Sequence, residues 1–257
     1  MNTLRVENLS KYYSKNLQAL NQLSFSVDQG QSLGIVGESG SGKSTLARIL
    51  IGLESYKEGV ITFQGSPIAP KKRAPLRAYR KNVQMIFQDA ASALNPKIPI
   101  WKSLLEPLKN YKEFTPSFID VDGLSDKGIA EKLLGLVGLD SGLADRYPGE
   151  LSGGQKQRVS IARSISLQPS LLICDEPTAS LDVTVQVQIL TLLKELQKQL
   201  NITILFISHD IRAVTFLCER IIVLKEGGMV DQFMLDDLYE HERDPYTKAL
   251  LAAASLD

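Results

Sequence analysis

Residues 37–44 read Gly-Glu-Ser-Gly-Ser-Gly-Lys-Ser and satisfy the pattern G-x-x-x-x-G-K-[ST]. Residue types at this spacing suit the grip of a polyphosphate. Gly37, Gly40 and Gly42 let the backbone turn sharply, so that successive N–H groups, those of Glu38, Ser39 and Ser41 among them, face one concavity. Lys43 supplies a mobile positive charge for the outer phosphates. The Ser44 hydroxyl is placed to ligate Mg²⁺, and Thr45 follows it. A helix opening here aims its positive end at the same concavity. A second candidate lies at Leu151-Ser152-Gly153-Gly154-Gln155, just ahead of a helical stretch, Gln155–Leu167. A serine and two glycines at a helix N-terminus form another anion site by the same rule. They are also what an N-cap serine with flexible glycines looks like.

The elements that must hold these loops follow from the apolar pattern. The run Leu33–Val36 ends at Gly37, and a helical pattern from Thr45 to Gly52 follows, so the first loop joins a strand to a helix. Leu4–Leu9, Leu23–Val27 and Val60–Phe63 read as further strands. Residues 66–82, rich in Pro, Lys and Arg, predict an exposed loop before a strand at Val83–Phe87. From Trp101 to about Gly138 the pattern is helical, with a surface excursion over Glu113–Asp126. Leu171–Cys174 is a buried strand. Val183, Val187, Leu190, Leu193, Leu196 and Leu200 form one face of a helix. Strands at Ile202–Ile207 and Arg220–Leu224 flank a helix around Ile211–Cys218. Short apolar strands alternating with helices predict a largely parallel α/β sheet, with the helical middle inserted as a second lobe.

Composition excludes several classes. The 257 residues carry 29 Lys+Arg against 29 Asp+Glu, and 44 % are hydrophobic. That balance gives no electrostatic case for nucleic-acid binding and none for a disordered tail protein. No run reaches the roughly 18 apolar residues that span a bilayer. The first residues are too polar for a secretory signal. Two cysteines, Cys174 and Cys218, have no metal-type spacing and suit a reducing compartment as small buried hydrophobes.

The five residues Leu151–Gln155 beside a phosphate loop resemble the signature of the ATP-binding cassette (ABC) ATPases. Other motifs of that family then appear in order. Leu171–Glu176 is similar to the apolar strand that ends in two acids. Gln88 follows a strand as the family's Q-loop glutamine does. Leu181-Asp182 is similar to the D-loop, and Ile-Ser-His209-Asp to the switch histidine. The resemblance covers nearly the whole chain. It implies a P-loop NTPase of the ABC ATPase fold, with a RecA-like core, an N-terminal antiparallel β subdomain and an inserted α-helical subdomain. The boundaries it implies are 1–92 and 168–240 for the core with the β subdomain, 93–167 for the helical part and 241–257 for a C-terminal helix, within one domain. It implies ATP and Mg²⁺ as ligands, with Ser44, Gln88 and Asp175 toward the metal. Glu176 would orient the attacking water, Gln88 and His209 would contact the reacting region, and Asp182 would lie beside the nucleotide. Tyr13 stands where an adenine-stacking aromatic is placed, and Tyr12 is the alternative.

Three segments narrow the branch. Gln88–Pro96, Asp182–Leu190 and Asp244–Leu251 are similar to segments of the oligopeptide, dipeptide and nickel importer ATPases. Ala90 departs from the usual proline, Asp244 from the usual histidine, and Ala179-Ser180 from the commoner Ser-Ala. No cysteine follows Cys218, so the iron–sulfur cluster of some relatives is expected to be absent. The resemblance implies a peripheral ATPase at the cytoplasmic membrane face. Its partners would be a second ATPase (a paralogue or a copy), two integral membrane permease subunits and an external substrate-binding protein, with no nucleic acid. Two anion sites in one chain suit a head-to-tail pair, each ATP clamped between the loop of one chain and the Ser152–Gln155 turn of the other. A soluble ABC ATPase of nucleic-acid or translation work, or an exporter ATPase, is the alternative. The basic residues Lys71, Lys72, Arg73, Arg77, Arg80 and Lys81 are read as a solvated loop, with a lipid or nucleic-acid surface as the other readings.

Overall fold

The computed structural model describes residues 2–254 except 15–16, 69–72, 91, 112–113 and 240–241. Its strands are β1 (Asn2–Ser14), β2 (Leu17–Asp28), β3 (Ser32–Val36), β4 (Glu58–Phe63), β5 (Ser66–Pro67), β6 (Val83–Ile86), β7 (Leu171–Asp175), β8 (Thr203–Ser208), β9 (Arg220–Lys225) and β10 (Gly228–Met234). Its α-helices are α1 (Lys43–Leu50), α2 (Arg73–Asn82), α3 (Ile100–Asn110), α4 (Asp126–Leu136), α5 (Gly153–Ile165), α6 (Val183–Leu200), α7 (Ile211–Leu217) and α8 (Pro245–Ala253).

The larger sheet runs β10-β9-β3-β8-β7-β6. All its pairings are parallel except β10 on β9. Its inner strands β9, β3, β8 and β7 are buried on both faces, which is why they read as continuous apolar runs. On one face Leu33, Ile35, Ile173 and Ile207 share a core with α1 and with the smaller sheet, β2-β1-β4-β5. On the other face Val36, Leu172, Cys174 and Phe206 share a core with the helices from α3 to α7. The period-2 alternation of a strand thus sorts one chain into two cores. Cys174 and Cys218 are both buried, and burial raises both thiols, so they behave as the small hydrophobes expected.

One expectation needs correction, and one strand had no expectation at all. Residues 66–82 are not one loop, because α2 occupies Arg73–Asn82. Pro75 falls in its first turn, where a proline costs nothing. The helix is fixed by two side chains that look merely polar in the sequence. The Tyr79 hydroxyl donates to the carbonyl of Leu50, and its ring stands edge-on to Phe63 at 5.2 Å. Arg80 donates to the carbonyls of Ile51 and Gly52 at 3.0 and 2.8 Å, closing the end of α1. Arg77 donates to the Asn110 carbonyl, and the Lys81 ammonium sits 4.1 Å from the Phe114 ring. Lys71, Lys72 and the side chain of Arg73 lie outside the described residues. The strand outside the sequence reading is β10. It is half exposed at the sheet edge and so carries little apolar alternation. No described helix is long and apolar enough to cross a membrane.

Candidate nucleotide site

Four neighbouring strands bring the chemistry to one edge. In the order β3-β8-β7-β6, their carboxyl ends lead to Gly37, His209, Asp175 with Glu176, and Gln88. Ligands of open α/β sheets bind at that edge.

The phosphate loop is tightly packed from behind. A Cβ on Gly37 would stand 2.1 Å from the Leu224 carbonyl oxygen, and one on Gly42 would stand 2.4 Å from that of Ala19. Gly42 also has φ +100°, so two independent constraints require glycine there. The Gly227 N–H donates to the Ser41 carbonyl at 3.2 Å. Lys43 is buried beneath the loop. Its ammonium donates to the carbonyls of Gly37 and Glu38, both at 2.7 Å, and lies 3.3 Å from the Ser41 hydroxyl. Burial lowers the Lys43 pKa, opposed by the carboxylates of Glu176, Asp175 and Glu38.

Asp175 ends β7 and is buried. The Ser44 hydroxyl donates to its Oδ1 at 3.3 Å. Burial pushes the Asp175 carboxyl up, and the Ser44 bond pulls it down. A hydroxyl and a carboxylate converging beside a phosphate loop are hard oxygen donors, and they fit Mg²⁺. Among the described residues no cluster of three His, Cys, Asp or Glu could cage a metal. Mg²⁺ with phosphates does not need one, since it takes one or two protein oxygens and completes its octahedron with water and phosphate.

Glu176 follows with φ +47°, an uncommon left-handed backbone for a glutamate. Its N–H donates to the Ile207 carbonyl at 2.9 Å, which ties the turn to β8. Its Oε2 is shared by two side chains. The Gln88 amide donates to it at 3.3 Å, and His209 Nδ1 lies 3.2 Å away. Three residues from three parts of the chain therefore meet at one carboxylate oxygen.

Tyr13 stands beside α1. Its hydroxyl donates to Glu54 Oε2 at 2.7 Å and lies 3.2 Å from the Thr45 hydroxyl. The ring is 49 % exposed. Both tyrosines carry an ammonium over the ring, Lys11 over Tyr13 at 4.9 Å and Lys57 over Tyr12 at 5.0 Å.

The Ser152–Gln155 turn is different. Ser152 caps α5, accepting from the Gln155 N–H at 3.3 Å, while Gln155 Oε1 accepts from the Ser152 N–H at 2.9 Å. This is a capping box. The glycines lie in the first turn of α5, not in a loop ahead of it. A Cβ on Gly154 would meet Val185 of α6 at 2.7 Å, so that glycine also permits close helix packing. Asp182 caps α6, accepting from the Val185 N–H at 2.9 Å. One contact was not foreseen. Tyr246 of α8 reaches the phosphate loop and accepts the Glu38 N–H at 3.0 Å.

A strand–loop–helix phosphate cradle, with acids at the edge of a parallel sheet, defines a P-loop nucleoside triphosphatase. The ABC transporter family model matches residues 20–179, and the chain belongs to that family as an ATP-binding, ATP-hydrolysing subunit. It is 42 % identical to the oligopeptide transport ATP-binding protein AppF of Bacillus subtilis, over 93 % of this chain and 70 % of that one. It is 40 % identical to a probable peptide ABC transporter ATP-binding protein, y4tS of Sinorhizobium fredii, over 98 % and 72 %. Among solved structures, cbiO1 from Clostridium perfringens, part of the ABC transporter complex cbiONQ, superposes with TM-score 0.81 at 29 % identity, covering 99 % of this chain and 95 % of that one. The dimeric post-hydrolysis state of the cassette MJ0796, bound to ADP and Pi, gives 0.78 at 29 % identity, covering 90 % and 98 %.

Proposed function

We propose that this chain energises the import of peptides, working head-to-tail with a second ATPase beneath two membrane permease subunits fed by an external binding protein. The observation that carries the cargo is the run of relatives named for oligopeptide transport, 36–42 % identical over at least 93 % of this chain. Nickel or another metal chelate is the competing cargo of the same importer branch. Uptake of labelled oligopeptides by the reconstituted transporter tests the choice. Uptake of a metal chelate with no peptide uptake overturns it.

The site geometry supports a division of labour. Lys43 and the loop amides other than those of Glu38 and Ser41, which donate to the Tyr246 hydroxyl and the Glu38 carbonyl, hold the phosphates of ATP. Ser44 and Asp175 would hold Mg²⁺, which would supply charge neutralisation at the phosphate oxygens, while Gln88, expected toward the metal, donates instead to Glu176. Glu176 orients the attacking water, and its shared Oε2 lets Gln88 and His209 fix the carboxylate's direction. Hydrolysis of this kind needs positioning and charge stabilisation rather than covalent chemistry. Tyr13, beside Thr45, takes the adenine face. The capped turn Ser152–Gln155, with Asp182 behind it, addresses the ATP held by the other chain. ATP then bridges the closed pair, and loss of its γ-phosphate removes the differential affinity that kept it closed.

A groove of about 320 Å³ beside Gln88 suits the membrane partner. It is lined by Leu53, Phe87, Ala93, Pro107 and Arg163. Leu53 and Phe87 are 54 % and 41 % exposed, which is high for large apolar side chains. A short helix of a permease seated there would touch the residue next to Gln88 and so couple transport to the site. The chain's own zero net charge leaves docking to such a local surface.

A further inference from the structure

The C-terminal helix α8 touches the phosphate loop at one peptide group, the unit joining Gly37 to Glu38. That unit is a rigid plane with its carbonyl and N–H pointing opposite ways. Its carbonyl accepts from the Lys43 ammonium at 2.7 Å. Its N–H donates to the Tyr246 hydroxyl oxygen at 3.0 Å. One peptide is therefore clamped between the lysine that meets phosphate and a tyrosine more than 200 residues later in the chain. Rotation of the peptide breaks both bonds together. The Tyr246 bond also polarises the unit, making its carbonyl a better acceptor for Lys43.

Tyr246 is itself held in place. Asp244 caps α8 and accepts the Tyr246 N–H at 2.8 Å. The Asp244 N–H donates to Asp231 Oδ2 on β10 at 3.2 Å. Asp231 also pairs with Arg243 at 3.6 Å, and both side chains are nearly buried. The Lys225 ammonium lies 4.9 Å from the Tyr246 ring. The line of contacts runs from β10 through the α8 cap to the loop. Asp244 is the residue that supplies the cap.

We infer that Tyr246 is a positioning residue of the nucleotide site, fixing the Gly37–Glu38 peptide and through it the Lys43 ammonium. This rests on the reading of the loop as the ATP site. The variant Tyr246→Phe removes only the hydroxyl and keeps the ring packed under Lys225. In the full chain it should weaken MgATP binding several-fold by calorimetry, with the unfolding temperature without nucleotide unchanged. Amide exchange over Gly37–Lys43 should quicken, while α1 beyond Leu46 keeps its protection. Wild-type affinity in Tyr246→Phe, beside a Lys43→Ala control whose affinity has fallen, overturns the inference alone. Wild-type affinity in Lys43→Ala overturns the site reading and the inference with it. A fall in affinity that comes with a matching fall in unfolding temperature marks Tyr246 as a packing residue and also overturns it.

Discussion

The chain carries two glycine-bearing turns at helix N-termini, both proposed to bind anions, and the fold treats them in opposite ways. The phosphate loop is wired inward. Its lysine is buried, its glycines press on the backbone of Leu224 and Ala19, and Gly227 and Tyr246 bond it from outside the motif. The Ser152–Gln155 turn is wired to itself. Among the described residues, the hydrogen bonds made by the Ser152 and Gln155 side chains are the two of the capping box. A site complete within one chain needs internal support, because its geometry must stand before ligand arrives. A surface meant for another chain's ligand needs only a stable shape and exposure. The contrast is what the proposed two-chain site requires, and it can be attacked from either side.

The largest expected effect lies on the inward side. Glu176→Gln keeps a polar side chain of the same length but removes the charge proposed to polarise the attacking water. Single-turnover hydrolysis of MgATP should slow by about 10²–10³, the usual cost of one preorganised group, while binding persists. Near-normal turnover would remove Glu176 from its role. Lys43→Ala comes next. It deletes a charged donor from the phosphate cradle and should cost about 10–10² in affinity by calorimetry, from roughly 1.5–3 kcal/mol for a charge-assisted bond.

The outward side should answer differently. Ser152→Ala should leave MgATP binding by the separate chain unchanged and should lower hydrolysis only in the assembled pair. Weaker binding by the separate chain would mean that the turn serves its own loop, and the contrast would fall.

These regions also differ in how far they could be read from sequence. The phosphate loop is local. Gly37, Lys43 and Ser44 fall within eight residues, and their spacing states their geometry. The acids and Gln88 were visible as motif matches, but their meeting was not. The shared oxygen of Glu176 joins residues 88, 176 and 209, and only the sheet order brings those strand ends together. The helix α2 was hidden because its anchors, Tyr79 and Arg80, bond to backbone carbonyls that no periodicity records. Strand β10 was hidden because an edge strand buries too little to show alternation. The segment Asp244–Leu251 resembles the C-terminal helix of one importer branch, and nothing in its residue types announces that Tyr246 meets Glu38.

The smallest expected effect tests whether a residue that caps a helix also serves the nucleotide. Asp182 accepts the Val185 N–H, so part of its presence is explained by α6 alone. Asp182→Ala should lower stability by about 1 kcal/mol, read as a drop in the urea midpoint at unchanged slope. Asp182→Asn keeps an oxygen that can cap, and asparagine is as good an N-cap as aspartate. If capping is all that Asp182 does, the asparagine variant should restore both stability and hydrolysis by the assembled pair. If its charge acts at the ATP between two chains, stability returns but hydrolysis stays low. That second outcome is the one expected from its place beside Leu181, which packs near Gly153 at the head of the exposed turn.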